Sequence, residues 1–467
     1  MLRRPAPAPR RRELNPALRA AARRPVWLFV SGVLLAVGAF FFFVGAPWLH
    51  QTPPYHIDFD VYRMGGKVFL SGGDIYGELP ELARGDHLPF TYPPFSAVLF
   101  SLFAVMPLEV GGSLLTLGTV LCLWYTLVAV TCFTWNIGRR EAARLVLPVL
   151  ALGLWIGPVR ETIFFGQINA LLMAAILFGL FAGLLPRSGI GAGLADGQGH
   201  AASETPRRTP LWGPILVGVV ASIKLTPLVF GIFYLVRRDL RGAFAMAGGV
   251  ALGVGAGFAF LPSASMQYWT ETILSSDRIG APMFASNQSL NGALHRLLGD
   301  GTTTKAVWAL LVLVVVAVIA WCAARLSSAG LPAEAAMAVA LISLLASPVS
   351  WGHHWVWIMP IIVVFSARAF PRLSTTPEFR AYGNWNSARI RFSGVVIWAG
   401  LLVGFLTPYW LVPRSDGHEV DWNAWQTLVG DAVLLWGLLA VALFLTAAAA
   451  APRAGLWTAA RGIHSPK

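Results

Sequence analysis

The sequence predicts an all-α, polytopic membrane protein with about twelve transmembrane helices, and three observations carry that prediction. Of its 467 residues 56% are hydrophobic and only 12% charged, a balance that a water-soluble domain does not have. The apolar residues fall in repeated runs long enough to form membrane helices. Between them sit short clusters of Lys and Arg, 35 such residues against 22 Asp and Glu. The net charge of +13 is therefore written as topology, since cations collect in cytoplasmic loops, and no DNA-binding pattern accompanies it. Cys122, Cys132 and Cys322 all lie inside apolar runs, which leaves neither a disulfide framework nor a cysteine-rich metal site.

In chain order, residues 1–25 form a basic cytoplasmic N-terminus carrying Arg3, Arg4, Arg10, Arg11, Arg12, Arg19, Arg23 and Arg24. The apolar run from Val26 to Val44 is long enough to span and lacks a clean small-residue cleavage site, so it reads as a retained first helix. Residues 26–366 form the catalytic module, with outside loops at 47–94 and 262–304. The first loop has an acidic excess, and within it Val61–Leu70 reads as an interfacial amphipathic helix followed by a turn at Gly72–Tyr76. Phe95–Trp135 is broken at Pro107, and charge parity makes its first piece a partial helix.

From Leu145 one helix is expected to reach the outside at Pro158–Glu161, turn after Gly166-Gln167-Ile168-Asn169 and return over 171–185. Residues 186–210 read as a flexible cytoplasmic loop. Two short apolar pieces then make a hairpin with Lys224 near its tip, and a helix from about Ala243 leads to the second outside loop. Spans near 307–323 and 335–346 precede an outside turn, Ser347–His354, and a return over 356–365. Residues 367–450 hold an arginine-rich cytoplasmic loop and a last hairpin, with Asp416, Glu419 and Asp421 at its outside tip. Residues 451–467 form a cytoplasmic tail, so both termini are expected inside.

This topology gathers Asp58, Asp60, Arg160, Glu161, Gln167, Asn169, Asn287, Asn291, His353 and His354 on the outside face. Carboxylates are costly inside a bilayer and cheap just outside it, so a pair hemmed in by aromatics in Tyr55–Tyr62 points to a site. Asp58, deeper among the aromatics, is the candidate general base; its surroundings should raise its pKa. Asp60 is assigned to capping the following helix and to local orientation. In an extended segment the two would share a face. Arg160 is either an interfacial cation or a bidentate phosphate ligand. Lys224, flanked by apolar residues, is either a functional intramembrane charge or a snorkelling one. His353 and His354 are either interfacial anchors or phosphate contacts. No HExxH or comparable spacing supplies a metal site. Asn287 opens a sequon, Asn287-Gln288-Ser289, read here as part of a polar binding loop in preference to a glycosylation site.

Taken together these residues resemble the polytopic glycosyltransferases of family 87. The matching features are Asp58-x-Asp60-Val61-Tyr62, Tyr92-Pro93-Pro94, Gly166-Gln167-x-Asn169, Lys224-x-Thr226-Pro227, Asn287-Gln288-Ser289 and Ser347-Pro348-x-Ser350-Trp351-x-His353-His354. Within that family the chain looks most like the actinobacterial α-1,2-mannosyltransferases of phosphatidylinositol mannoside and lipomannan biosynthesis. The resemblance implies the C-type glycosyltransferase fold, polyprenyl-phosphate mannose as donor and a catalytic aspartate in the first outside loop. It also implies a glycolipid acceptor and chemistry on the outer side of the plasma membrane. Asp60, Arg160, Gln167, Asn169, Lys224, Asn287, His353 and His354 are its candidate substrate-binding residues, and no cofactor is called for. Related enzymes transfer arabinose, so a polyprenyl-phosphate-arabinose donor is the alternative within the family. A transporter and a lipid-binding scaffold are the rivals outside it, and the absence of a repeat relating the two halves of the chain argues against the transporter.

Overall fold

The computed structural model describes residues 16–45, 54–135, 137–182, 210–370 and 387–451. The basic residues Arg3 to Arg12, the loop from 186 to 209, Arg372, Arg380, and the tail bearing Arg453, Arg461 and Lys467 lie outside these.

A short α1 (Pro16–Ala21) leads into α2 (Pro25–Val44), which starts with proline at its first position and stops where Gly45 takes φ 82°. The first large loop, expected on the outside, contains α3 (Ile57–Leu70). Next come α4 (Pro94–Ala104) and α5 (Leu108–Trp135), separated by Pro107. At about 1.5 Å per residue the 11 residues of α4 cover about half the bilayer core, whereas the 28 of α5 exceed it. The partial helix expected before Pro107 is thus observed.

The chain continues through α6 (Arg139–Leu145), α7 (Leu147–Gly153), α8 (Gly157–Phe165) and α9 (Asn169–Phe181). Here the expected single helix from Leu145 to Glu161 is not formed. α7 and α8 are bent 68° apart, with extended Ile156 and Pro158 at the break. Ile156 is the N-cap of α8, a position that takes extended backbone, and Pro158 follows in the first turn, where a missing N–H costs nothing. α8 consequently runs across the site instead of past it.

Beyond the long loop lie α10 (Trp212–Ile223), a 3₁₀ turn (Thr226–Phe230) and α11 (Gly231–Val236), with Lys224 in extended conformation between the two halves of the expected hairpin. α12 (Leu240–Phe260), capped by Asp239, carries the chain to α13 (Pro262–Thr270) and the second outside loop. That loop ends in α14 (Leu290–Leu298), capped by Ser289, before α15 (Thr302–Ser328) and α16 (Pro332–Leu345). The outside turn passes through a 3₁₀ segment (Gly352–Trp357) into α17 (Ile358–Ala369). α18 (Ser387–Leu406), α19 (Ala424–Gly430) and α20 (Ala432–Ala450) form the last hairpin.

Among the described residues, six helices are long and apolar enough to cross a membrane, and a seventh if the bent α7–α8 pair is one span. Five shorter apolar helices account for most of the remaining expected crossings, so the count of about twelve full spans becomes a mixture of full and partial ones. α16 is buried on every face from Ala333 to Leu345 and touches α5, α15, α17 and α20. A helix apolar all round with that many neighbours is the axis of the bundle. By contrast Phe29 of α2, Phe244 of α12 and Leu313 of α15 are exposed, as expected of lipid-facing surfaces.

Candidate active site

The site begins with how the first turn of α3 is seated. His56, at the N-cap, takes a left-handed conformation (φ 60°), which costs a non-glycine residue roughly 1–2 kcal/mol. Its backbone N–H donates to Phe164 O (3.2 Å) and its Nε2 lies 3.1 Å from Thr116 Oγ1. Close contacts hold that conformation in place. A Cβ on Gly112 of α5 would come within 2.5 Å of His56 Nδ1, and Gly166 (φ 70°) brings the α8–α9 turn within van der Waals reach of His56 and Phe59. α3 therefore starts four residues before the amphipathic stretch expected from sequence, and both aspartates lie inside it.

The consequence is that Asp58 and Asp60 diverge. They would share a face in an extended segment, but in a helix two residues apart they point about 200° from one another. Asp58 is half-buried, and its Oδ2 accepts from Gln167 Nε2 at 2.8 Å. Burial pushes the Asp58 carboxyl up to about 6, against the Gln167 hydrogen bond and the Lys224 charge, which pull it down. Asp60 is fully buried. Its Oδ1 pairs with Arg63 Nη1 (2.8 Å), and its Oδ2 accepts from Tyr55 OH and from Ala83 N, each at 2.9 Å. The sequence-based assignment of Asp60 to capping is thus corrected: the N-cap is His56, and Asp60 ties α3 to the loop around Ala83. Three donors within the protein thus meet the Asp60 carboxylate, whereas one meets Asp58.

Gln167 and Asn169 flank the N-cap of α9 and reach in different directions. Gln167 Oε1 accepts from Tyr62 OH (3.1 Å) and Tyr92 OH (3.3 Å), two phenols joined at 2.8 Å. Tyr62 lies one helical turn after Asp58, a relation that the helix, had it been placed correctly, would have shown in sequence. Asn169 Oδ1 accepts from Lys224 Nζ (3.0 Å), and Asn169 Nδ2 donates to His353 O (3.0 Å), which also accepts from Thr162 Oγ1 (3.1 Å).

Lys224 Nζ also lies 3.1 Å from His354 Nε2 and 5.5 Å from the centre of the Tyr92 ring. An ammonium has only donors, so His354 Nε2 accepts and the imidazole is neutral. His354 accordingly holds the cation and does not supply one, contrary to its expected role as a phosphate-binding charge. His353 is buried edge-on to Phe165 and His354, and neither of its ring nitrogens has a hydrogen-bond partner among the described residues. A narrow cavity leads away from Lys224, Asn169 and His354 between Leu172, Ile176, Phe230 and Trp357.

The other candidates serve the frame. Asn287 is fully buried: its Nδ2 donates to Pro282 O and Pro348 O, and its Oδ1 accepts from Ser350 N at 2.9 Å. It therefore staples the loop before α14 to the Ser347–His354 turn, with both ends of its amide held within the protein. Arg160 reaches Thr407 Oγ1 (3.3 Å) at the end of α18, with no contact to the Asp58–Lys224 group among the described residues. Its neighbour Glu161, to which sequence assigned no role, accepts from Tyr409 OH (2.7 Å) and Trp410 Nε1. This joins α8 to the last hairpin. Among the described residues no cluster of three or more His, Cys, Asp or Glu could hold a metal ion.

The profile of glycosyltransferase family 87 matches residues 90–348. A polyprenol-phosphate-mannose-dependent α-(1-2)-phosphatidylinositol mannoside mannosyltransferase of Mycolicibacterium smegmatis is 33% identical over 411 residues, 83% of each chain. Its counterpart in Mycobacterium tuberculosis is 32% identical over 435 residues, 90% of each. A phosphatidylinositol pentamannoside mannosyltransferase of M. smegmatis is 30% identical over 321 residues, covering 68% of this chain and 71% of that one. With a profile match over more than half of its length and relatives of this identity along most of it, the chain belongs to glycosyltransferase family 87.

Proposed function

We propose that this glycosyltransferase moves mannose from polyprenyl-phosphate mannose to a mannosylated phosphatidylinositol-type glycolipid, forming an α-1,2 linkage by a single inverting displacement. The observation that carries the mechanism is that Asp58 and Lys224, a carboxylate and an ammonium within electrostatic reach of one another, are each hydrogen-bonded to an amide of one turn. The donor and acceptor classes come from the names of the relatives, and the C-type fold and outer-face chemistry from the family resemblance.

In this reading an acceptor hydroxyl gives its proton to Asp58 as its oxygen bonds to the anomeric carbon. The bond from that carbon to the phosphate oxygen breaks, and polyprenyl phosphate leaves with the electron pair. A carboxylate with its pKa raised to about 6 is a stronger base than an ordinary aspartate yet is still mostly ionised at neutral pH. A phosphate monoester leaves without a general acid, provided a fixed cation meets the charge that develops on it, and Lys224 is the group placed for this. The cavity beginning at Lys224 and His354 continues past Leu172, Ile176 and Phe230, side chains that suit the first isoprene units of the donor.

The test is Asp58→Asn, which keeps the shape and removes the proton acceptor. A general base usually contributes about 10²–10⁴-fold, so turnover at saturating donor should fall by that factor while donor binding persists. Normal mannose transfer by Asp58→Asn would sink this mechanism.

A further inference from the structure

A carboxylate and an ammonium that lie within electrostatic reach of one another in a desolvated site should close on each other. Their attraction is several times stronger there than in water, and nothing in either side chain alone prevents contact. Yet in this protein Asp58 and Lys224 influence one another electrostatically without sharing a hydrogen bond. Each is bonded to a different amide of the Gly166-Gln167-Ile168-Asn169 turn.

The two amides are presented with opposite polarity. A primary amide has a donor end and an acceptor end, so whatever takes one end decides what the other offers. At Gln167 the Tyr62 and Tyr92 phenols occupy Oε1, which leaves Nε2 to face Asp58. At Asn169 the carbonyl of His353 takes Nδ2, which leaves Oδ1 to face Lys224. The carboxylate receives a donor and the ammonium an acceptor, from positions two residues apart on one rigid helix start. Asp58 Oδ1 and the remaining donors of Lys224 are left for substrate.

We propose that Gln167 and Asn169 are positioning residues that keep Asp58 and Lys224 apart as an open pair, the one available to the acceptor hydroxyl and the other to the donor phosphate. This rests on the reading of Asp58 as the base. Direct closure of the pair would consume both at once: the ion pair would make Asp58 a weaker base and withdraw the cation from the phosphate. In this role Gln167 and Asn169 act through their neighbours, with no bond to substrate required of either.

The groups facing Asp58 are Gln167, the Tyr62 and Tyr92 phenols and Lys224; those facing Lys224 are Asp58, Asn169, Tyr92, His353 and His354. Of these only Lys224 brings positive charge, so movement of Lys224 toward Asp58 lowers the pH at which Asp58 ionises. The experiment follows the pH dependence of Asp58 labelling by a hydrophobic carbodiimide, which reacts with the protonated carboxyl, read by mass spectrometry of the purified full-length protein. Labelling does not need turnover. Its midpoint should fall by at least one pH unit in Asn169→Ala, which frees Lys224; in Gln167→Met, where the lost hydrogen bond by itself raises the midpoint, adding Lys224→Met should raise it further than Lys224→Met does in the unaltered protein. Mannose transfer should fall at least tenfold in Asn169→Ala and in Gln167→Met, with a raised KM for donor.

In Asn169→Ala made together with Lys224→Met, the downward displacement should vanish relative to Lys224→Met alone, because the charge that closes on Asp58 is gone. A midpoint that stays in place or rises in Asn169→Ala, or an effect of Lys224→Met no larger in Gln167→Met than in the unaltered protein, overturns the proposal. Either variant decides the matter if the other does not fold. Should Asp58→Asn transfer mannose normally, the base assignment itself fails. Should it be dead while neither of these two readings departs from the unaltered protein in the expected direction, only the spacing role fails.

Discussion

At the scale of single residues, chemistry in this protein is assigned by what each polar atom is already bonded to. Asp58 keeps a free oxygen, whereas Asp60 has an arginine, a phenol and a backbone N–H on its two. Asp60→Asn should therefore lose activity through stability: it leaves the buried Arg63 without its counter-charge, at a cost of about 3–5 kcal/mol. A lowered melting temperature, with the remaining folded fraction turning over at a normal rate, is the expected result. Among the cations the same reasoning separates Lys224 from Arg160. Loss of a group contacting the leaving phosphate costs about 2–4 kcal/mol of transition-state stabilisation, so Lys224→Met should slow transfer by at least about tenfold. Arg160, bonded to Thr407 away from the cleft, should cost less than Lys224 when changed to Ala. Steady-state rates of the two variants at saturating donor check the order, and equal losses would place Arg160 in the site.

At the scale of elements, the site is an assembly of turns: the start of α3, the α8–α9 turn, the break after α10 and the turn before α17. Their motifs were legible in sequence because each polar residue interrupts an apolar run, and Asp58, Gln167, Asn169, Lys224 and His354 do come together. What was not legible was direction. A two-residue spacing cannot say whether Asp58 and Asp60 share a face until the start of α3 is known, and that start depends on Gly111, Gly112 and Gly166 accepting His56 and Phe59 from other elements. The bend between α7 and α8 was hidden for a similar reason, since a short apolar helix and half of a long one look alike in composition. The last hairpin carried no motif, yet Glu161 binds Tyr409, Gln288 binds Gly430 O and Leu434 N, and Arg296 pairs with Asp431. Asp431→Ala would strip a buried guanidinium of its counter-charge, again a loss of about 3–5 kcal/mol. It should lower the melting temperature and, by loosening the second outside loop, reduce transfer without altering the pH at which Asp58 ionises. A thermal melt and the Asp58 labelling curve read the two parts separately.

At the scale of the whole molecule, contacts between distant helices decide which ends lie together. The site sits at the Gly112 end of α5. Trp135, at the other end, is about 35 Å away at 1.5 Å per residue. Near Trp135 lie Leu18 of α1, Ala142 of α6 and Ala367 of α17, and Trp27 Nε1 donates to Arg144 O. Arg368 of α17 approaches Glu334 at the start of α16, and Arg325, at the end of α15, donates to Ala451 O just after α20. The start of α2 and the end of α20 thus share the side that carries Arg139, Arg140, Arg144, Arg325 and Arg368, opposite the site. Because arginines collect on the cytoplasmic side, we propose from that distribution that Asp58 lies on the outside. His87, exposed in the first outside loop, and Arg140, exposed on α6, lie at opposite ends and suit substitution by cysteine. In intact cells a membrane-impermeant maleimide should label His87→Cys and spare Arg140→Cys, and permeabilisation should expose the second. The reverse pattern would turn the protein over in the membrane and put the lipid-linked donor on the cytoplasmic side. Labelling of both in intact cells would break the proposed shared side of the termini, and with it the separation of site and arginines from which the orientation is argued.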